Sequence, residues 1–350
     1  MKQNPFSISF GKKPYQYIER NLIMDEIMSD LNSEIIQNQC FMLAGVRGSG
    51  KTVTMTNIEN RLREEKDWIV IGLNIERNML DSLVAKLYDS GKLRSEFWKT
   101  EINLSAFGIG LAAKNNAPVA DIESALEKIL KEVKKTGKRL LITVDEVYNT
   151  KSIKEFASTF QIMVRQNFPI FLLMAGLYEN IHSIEDEKNL TFLYRAPKYF
   201  MTPLSPNLVM KSYMKTLDIS EDQAYKMAKL TKGYPFAYQA LGKYVWDNPN
   251  RTLSEDVMDK FDESLETYAY NKIWDEMSPM DRYYMTFIAQ KEEIRTSELL
   301  EMTGKKKNEF SQYKTRLTEK GIIDASKRGI ISITLPRFKE FVNRKEIFDT

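Results

Sequence analysis

From residue 38 onward the chain alternates short, nearly unbroken apolar runs with stretches of helical periodicity. Residues 41–44 (FMLA), 68–73 (WIVIGL), 139–144 (RLLITV) and 169–175 (PIFLLMA) have the length and apolar content of strands. Residues 81–88, 122–135 and 153–166 repeat apolar positions three and four apart, as helices do. A strand that is apolar at nearly every position has no solvated face, so both of its faces must be covered. The alternation predicts an α/β fold in three layers, a parallel sheet with helices on either side. Residues 101–113 (EINLSAFGIGLAA) interrupt it. Broken by glycine and only partly alternating, they fit either a β-hairpin insertion or a loose loop.

Past residue 203 the strands stop. Residues 207–217, 221–231 and 236–246 read as three helices, a small all-α unit, and the polar stretch 247–256 (DNPNRTLSED) reads as a linker. The rest holds further helices, a hairpin and an amphipathic piece at 338–345. In it Thr296 is expected to cap a short helix (SELLEMTG) that Gly304 stops. A second helix over 307–320 places Phe310, Tyr313 and Leu317 on one face, and a hairpin over 324–335 turns at Lys327-Arg328-Gly329. That order predicts a winged helix. The expected organisation is a core at 1–202, a helical lid at 203–250 and a winged-helix domain at 251–350.

With 350 residues, 43% of them hydrophobic and 28% charged, the chain has the make-up of a soluble protein of two or three domains. Its net charge of +3 gives no global field toward nucleic acid, so any such binding requires a local patch. The single cysteine, Cys40, excludes an internal disulfide framework and fits a reducing compartment. The single histidine, His182, excludes histidine-based metal clusters and reads as structural. The first fifteen residues lack an apolar run of signal-peptide length, and no apolar run elsewhere is long enough to span a bilayer. A cytoplasmic location without membrane association is the expectation.

Candidate chemistry begins right after the first strand. Gly45-Val46-Arg47-Gly48-Ser49-Gly50-Lys51-Thr52 matches GxxxxGK[ST] at every fixed position, between a strand and a helix. Glycines let the backbone curl so that successive N–H groups face one concavity, where a polyphosphate can sit. The positive end of the following helix adds to the same spot. Lys51 is expected to reach the terminal phosphates of ATP and Thr52 to ligate Mg2+. About 90 residues later the strand at 139–144 ends in Asp145-Glu146. Carboxylates there lie at the sheet edge where open α/β sheets bind ligands. Asp145 is expected to hold the Mg2+ through water, and Glu146 to orient and polarise the attacking water.

These two motifs make the chain resemble the AAA+ P-loop ATPases, in the bacterial and archaeal branch similar to origin-recognition ATPases and STAND regulators. Asn4-Pro5-Phe6, Phe10-Gly11 and Pro14 resemble the opening segment of such proteins. Arg20 falls where the family has a Gly-Arg-Glu motif near the adenine, although its neighbours here are Glu19 and Asn21. Gly233-Tyr234-Pro235 resembles the GxP motif of the lid, whose proline, here Pro235, packs near the base. Two departures stand out. The polar sensor at the end of the fourth strand is replaced by Ala175-Gly176-Leu177, with Asn180 the nearest amide, and no sensor arginine is evident in the lid. Arg195, in TFLYRAP, lies where related proteins carry an arginine that acts across a subunit interface. That role implies a homo-oligomer; the alternative is an arginine paired with a nearby carboxylate.

The resemblance implies an ATP hydrolase that uses nucleotide state to control assembly or conformation. Residues 291–350 hold 14 Lys and Arg against 10 Asp and Glu, a modest local excess. Double-stranded DNA would meet Lys305, Lys306, Lys307, Asn308, Ser311, Gln312 and Lys314, on the second helix and just before it, with Lys327 and Arg328 on phosphate. The alternative function is a slow or non-hydrolysing switch that binds a protein partner. A P-loop kinase for a small molecule fits the helical and winged C-terminus least.

Overall fold

The computed structural model of the chain describes residues 3–9, 13–90 and 122–349. The 101–113 segment lies outside the described residues, as do Phe10 and Gly11. The chain divides into two compact units. One comprises 21–44 and 54–200; the other comprises 1–20, 45–53 and 201–350.

The first unit is built on a five-stranded parallel sheet of order β2-β3-β4-β1-β5. Its strands are β1 (Cys40–Ala44), β2 (Trp68–Leu73), β3 (Arg139–Val144), β4 (Ile170–Gly176) and β5 (Lys198–Phe200). Every residue of β1 and β4 is buried, as the unbroken apolar runs require. Alternate side chains serve opposite faces. Met42, Ile71, Ile142 and Leu172 join one core with α3 (Met79–Asp89), α4 (Ile122–Lys135) and α5 (Lys151–Arg165). Trp68 and Phe171 point the other way, with ring centroids 5.3 Å apart. On that face lie α1 (Asn21–Asn32) and α2 (Lys51–Glu64): Trp68 Nε1 donates to Asn32, and Thr143 Oγ1 donates to Glu59 Oε1 at 2.5 Å. The three-layer α/β architecture is thus the observed one. Past β4 come α6 (Tyr178–Glu185) and the single turn α7 (Thr191–Tyr194). His182 is half exposed on α6, beside Glu185, Asp186 and the Tyr178 ring. Cys40 is a buried free thiol.

The second unit has one continuous hydrophobic core running from Phe6 to Val342. It contains α8 (Pro206–Leu217), α9 (Glu221–Thr231), α10 (Pro235–Asp247) and α11 (Glu255–Leu265). The 247–256 stretch is an ordered connection: Arg251 stacks its guanidinium 4.0 Å from the Trp246 ring. The N-terminal segment belongs to this unit. Phe6 is 3% exposed and so close to Gly242 that an added Cβ there would lie 2.6 Å from the ring. A π-helical turn at Glu266–Tyr270 leads into α12 (Asn271–Asp275) and α13 (Pro279–Ile288). There follow β6 (Glu293–Arg295), α14 (Thr296–Thr303), α15 (Lys307–Glu319), β7 (Ile323–Asp324), β8 (Ile330–Ile333) and α16 (Phe338–Asp349). The small sheet is antiparallel, in the order β6-β8-β7. Gly304, at φ 62°, ends α14 in the left-handed conformation glycine favours. Thr296 does not cap that helix: it is already its first residue, and its hydroxyl is buried without a hydrogen bond among the described residues.

Among the described residues no helix is long and apolar enough to cross a membrane.

Candidate functional site

The Gly45–Lys51 loop follows β1 directly and opens α2. Gly48 and Gly50 take left-handed φ values of 72° and 91°, which an L side chain resists. A Cβ on Gly48 would also collide with the Tyr234 hydroxyl, and one on Gly45 would lie 2.8 Å from Ser49 Oγ. The glycine positions are therefore steric requirements of the observed turn.

The five successive carbonyls from Gly45 to Ser49 each accept from a named donor. Lys51 Nζ donates to Gly45 O at 2.8 Å and to Val46 O at 2.9 Å. The Tyr234 hydroxyl donates to Arg47 O, the Phe236 amide to Gly48 O at 3.2 Å, and Arg20 Nη2 to Ser49 O at 3.1 Å. In a trans peptide the C=O of one residue and the N–H of the next point in opposite directions. Tying each carbonyl therefore aims the following N–H away from its donor. Ser49 N closes a turn onto Val46 O at 3.3 Å. Ser49 Oγ, in a residue only 2% exposed, has no hydrogen-bond partner among the described residues.

Lys51 is 9% exposed, with its ammonium fixed over its own loop by the two carbonyls. Thr52 is the second residue of α2. Pro235 lies near the loop: a Cβ added to Gly50 would be 3.8 Å from its ring. Arg20, expected near a base, holds the loop backbone through Ser49 O. Tyr234 is 5% exposed, and burial pushes its hydroxyl well above the usual tyrosine range, so it stays a donor at neutral pH. Sequence reasoning missed Tyr234, Phe236 and Glu276, whose carboxylate lies 2.8 Å from Arg47 Nη2. Proximity of Tyr234 and Phe236 to Pro235 in the GxP motif was a usable signal; Glu276 carried none.

The carboxylates expected after the third strand lie at the end of β3. β1 and β3 flank β4 in parallel, so their C-terminal ends share one sheet edge. Asp145 Oδ1 accepts from Glu146 N at 2.9 Å. Glu146 is exposed and has φ 50°, left-handed backbone that a glutamate adopts only when its surroundings impose it. What imposes it is the next residue, Val147, whose amide donates to Ala175 O at 2.8 Å on β4. A Cβ on the next residue of β4, Gly176, would lie 2.9 Å from both Val147 Cγ1 and Val147 O, so position 176 takes no side chain without a shift.

Arg195 ends α7, exposed, and makes no ion pair with a described residue. Exposed Tyr194 adjoins it.

On α15, Phe310 and Leu317 are buried, while Lys307, Asn308, Ser311 and Gln312 are exposed, as are Lys305 and Lys306 before it. Lys314 is half buried. Lys327 is tied to Glu293 at 2.7 Å, so its charge is partly neutralised; Arg328 is exposed.

Among the described residues no group of three His, Cys, Asp or Glu forms a metal site by itself. Thr52 near the start of α2 and Asp145 at the end of β3 each carry an oxygen of the hard kind that Mg2+ accepts.

Residues 267–342 match a family described as a domain of unknown function, DUF8462. No curated protein matches the chain in sequence. A Walker-type ATPase of Pyrococcus abyssi has a similar structure, with TM-score 0.62, 15% identity, and 93% of this chain and 95% of that chain covered. The ORC2 protein of Aeropyrum pernix, solved as ADPNP–ADP complexes, matches with TM-score 0.61 and 13% identity over 98% of both chains. At such identity the likeness shows the fold alone, which is the one these two archaeal proteins share.

Proposed function

We propose that the chain binds Mg-ATP through the Gly45–Thr52 loop, hydrolyses it, and uses the nucleotide state to control assembly or conformation on double-stranded DNA. The observation that carries the nucleotide part is the loop itself: five tied carbonyls, two left-handed glycines and a lysine pinned above them. A loop held in shape binds an anion without first being ordered. The similar ORC2 protein was solved with nucleotides, which supports the same reading.

Lys51 places a positive charge at the terminal phosphates, Thr52 and Asp145 hold the Mg2+, and Pro235 packs at the base. The Mg2+ supplies charge neutralisation on the phosphate oxygens. Glu146 accepts a proton from water and aims it for attack. Arg195, exposed and unpaired among the described residues, serves a neighbouring copy in a homo-oligomer. We read the small sheet with α13–α15 as a winged helix. The exposed Lys305, Lys306, Lys307, Asn308 and Gln312 face duplex DNA, with Arg328 on phosphate.

A slow or non-hydrolysing switch with a protein partner is the second reading. The packing of Val147 on Gly176 favours it, because it leaves no polar sensor at the end of β4. Steady-state ATP turnover, with and without duplex DNA and over a range of protein concentrations, separates the two. Turnover that rises with both, and loses its concentration dependence in Arg195→Ala, supports the ATPase on DNA. Turnover near zero under every condition supports the switch.

A further inference from the structure

Position 47 is one where the loop motif tolerates any residue, yet its side chain is committed. Arg47 Nη2 lies 2.8 Å from Glu276 Oε1, with the two side chains 30% and 28% exposed. Glu276 follows α12 directly, and its amide closes that helix onto Lys272 O at 3.1 Å. The preceding loop residue leans on the same region. Val46 packs against the core that contains Trp274 and Ile322, and a Cβ on Gly321 would meet Val46 Cγ1 at 3.4 Å. Gly321 stands just past the C-terminal end of α15. Two consecutive loop residues are thus seated on the C-terminal region, one by charge and one by packing.

A half-exposed ion pair adds little to overall stability. Its location gives it another use. Arg47 is held by its side chain at Glu276 and by its carbonyl at Tyr234, which leaves its peptide planes little freedom. Those planes set the direction of the Gly48 N–H.

We propose that Glu276 is a positioning residue for the phosphate-binding loop. It grips Arg47, keeps residues 46–48 in their anion-accepting shape, and makes the 272–277 and 318–322 segments respond when the loop is filled. The proposal rests on the nucleotide reading of the loop given above. Linkage makes it reciprocal: what tightens the seat tightens nucleotide binding, and bound nucleotide tightens the seat. Because α15 begins at exposed Lys307, directly after exposed Lys305 and Lys306, a ligand at that end of the helix shares an element with the loop's seat.

The test uses the full-length protein and Mg-ADP. Calorimetric titration is run on the wild type, Glu276→Gln, Arg47→Gln and the double variant, alongside melting curves. Hydrogen exchange of residues 272–277 is followed with and without Mg-ADP. The expected result is a three- to tenfold weaker affinity in each single variant and no further loss in the double variant. Exchange at 272–277 slows on adding Mg-ADP to the wild type and not to Glu276→Gln. A lowered melting temperature with wild-type affinity would make the pair merely structural and overturn the proposal. Independent, multiplying losses, or wild-type exchange indifferent to Mg-ADP, would also overturn it. Arg47→Lys, which keeps the charge and loses the planar fork, gives a milder weakening and stands in if Arg47→Gln fails to fold. If the wild type binds no Mg-ADP, the nucleotide reading itself fails, an outcome distinct from binding that the variants leave unchanged.

Discussion

Tyr234 donates its hydroxyl hydrogen to the carbonyl of Arg47, joining the start of α10 to the Gly45–Thr52 loop across 187 residues of sequence. The two lie in one compact unit, and the Gly233-Tyr234-Pro235 motif contributes more than its proline. Its middle residue closes the set of donors that hold the loop carbonyls.

Tyr234→Phe removes only that donor. A hydrogen bond of this kind contributes about 1 kcal/mol, so Mg-ATP affinity is expected to fall about fivefold. Calorimetric titration measures the change, and a melting curve shows whether the fold survives. Wild-type affinity in the variant would mean that the loop does not need the tyrosine.

Glu146 offers a separation of catalysis from folding. Glu146→Gln is expected to bind ATP as the wild type does and to stop turning it over. Glu146→Gly also stops turnover, yet it relieves a left-handed φ of 50°. Its melting temperature should rise, by the equivalent of up to about 1 kcal/mol. Normal turnover in Glu146→Gln would remove the residue from its assigned role, and a lower melting temperature in Glu146→Gly would show that the backbone there is not strained.

Asp281 is 1% exposed and completes a capping box with Ser278 at the start of α13. Arg316, on α15, reaches both: its Nη2 lies 2.6 Å from Asp281 Oδ1 and 2.8 Å from Ser278 Oγ. Asp281→Ala removes the cap and the buried acceptor together. With Arg316 partly exposed and able to find water, the loss is about 2 kcal/mol, measurable by urea denaturation. A loss below about 0.5 kcal/mol would show that this network does not fix α15.

Much of this was legible in the chain because the signals are local. WIVIGL and RLLITV become β2 and β3 with the boundaries read from their apolar runs. Residues 122–135 and 221–231 are the helices their periodicity predicts. β5 was missed because Lys198–Phe200 is three residues long and has an exposed phenylalanine. Its strand character comes from pairing with β1, far away in sequence. The π-helical turn at Glu266–Tyr270 left no pattern to find. Around the loop the glycines were legible because the turn restricts the residue type, and the Asp145-Glu146 pair was legible as the end of β3. Glu276 was not, because its use depends on Arg47, 229 residues earlier. Thr296 had the right residue type for a cap, and the chain instead starts α14 at that residue.

For DNA, Lys305→Ala, Lys306→Ala and Lys307→Ala should each flatten the salt dependence of duplex binding. The slope falls by about 0.9 for each phosphate that is no longer neutralised. Lys327→Ala should do less, because Glu293 already neutralises that charge. Fluorescence anisotropy of a labelled duplex at several salt concentrations reads both. Equal effects at all four positions would argue against a DNA interface centred on α15.

The central claim, that the Gly45–Thr52 loop is an ATP site, is tested most directly by titrating Mg-ATP into the wild type and Lys51→Ala in a calorimeter. The account predicts one site per chain in the wild type and an affinity about 30- to 150-fold weaker in Lys51→Ala, the loss of a charge-assisted interaction of about 2–3 kcal/mol. A wild type that binds no Mg-ATP, or a Lys51→Ala variant that binds it equally well, would contradict the account.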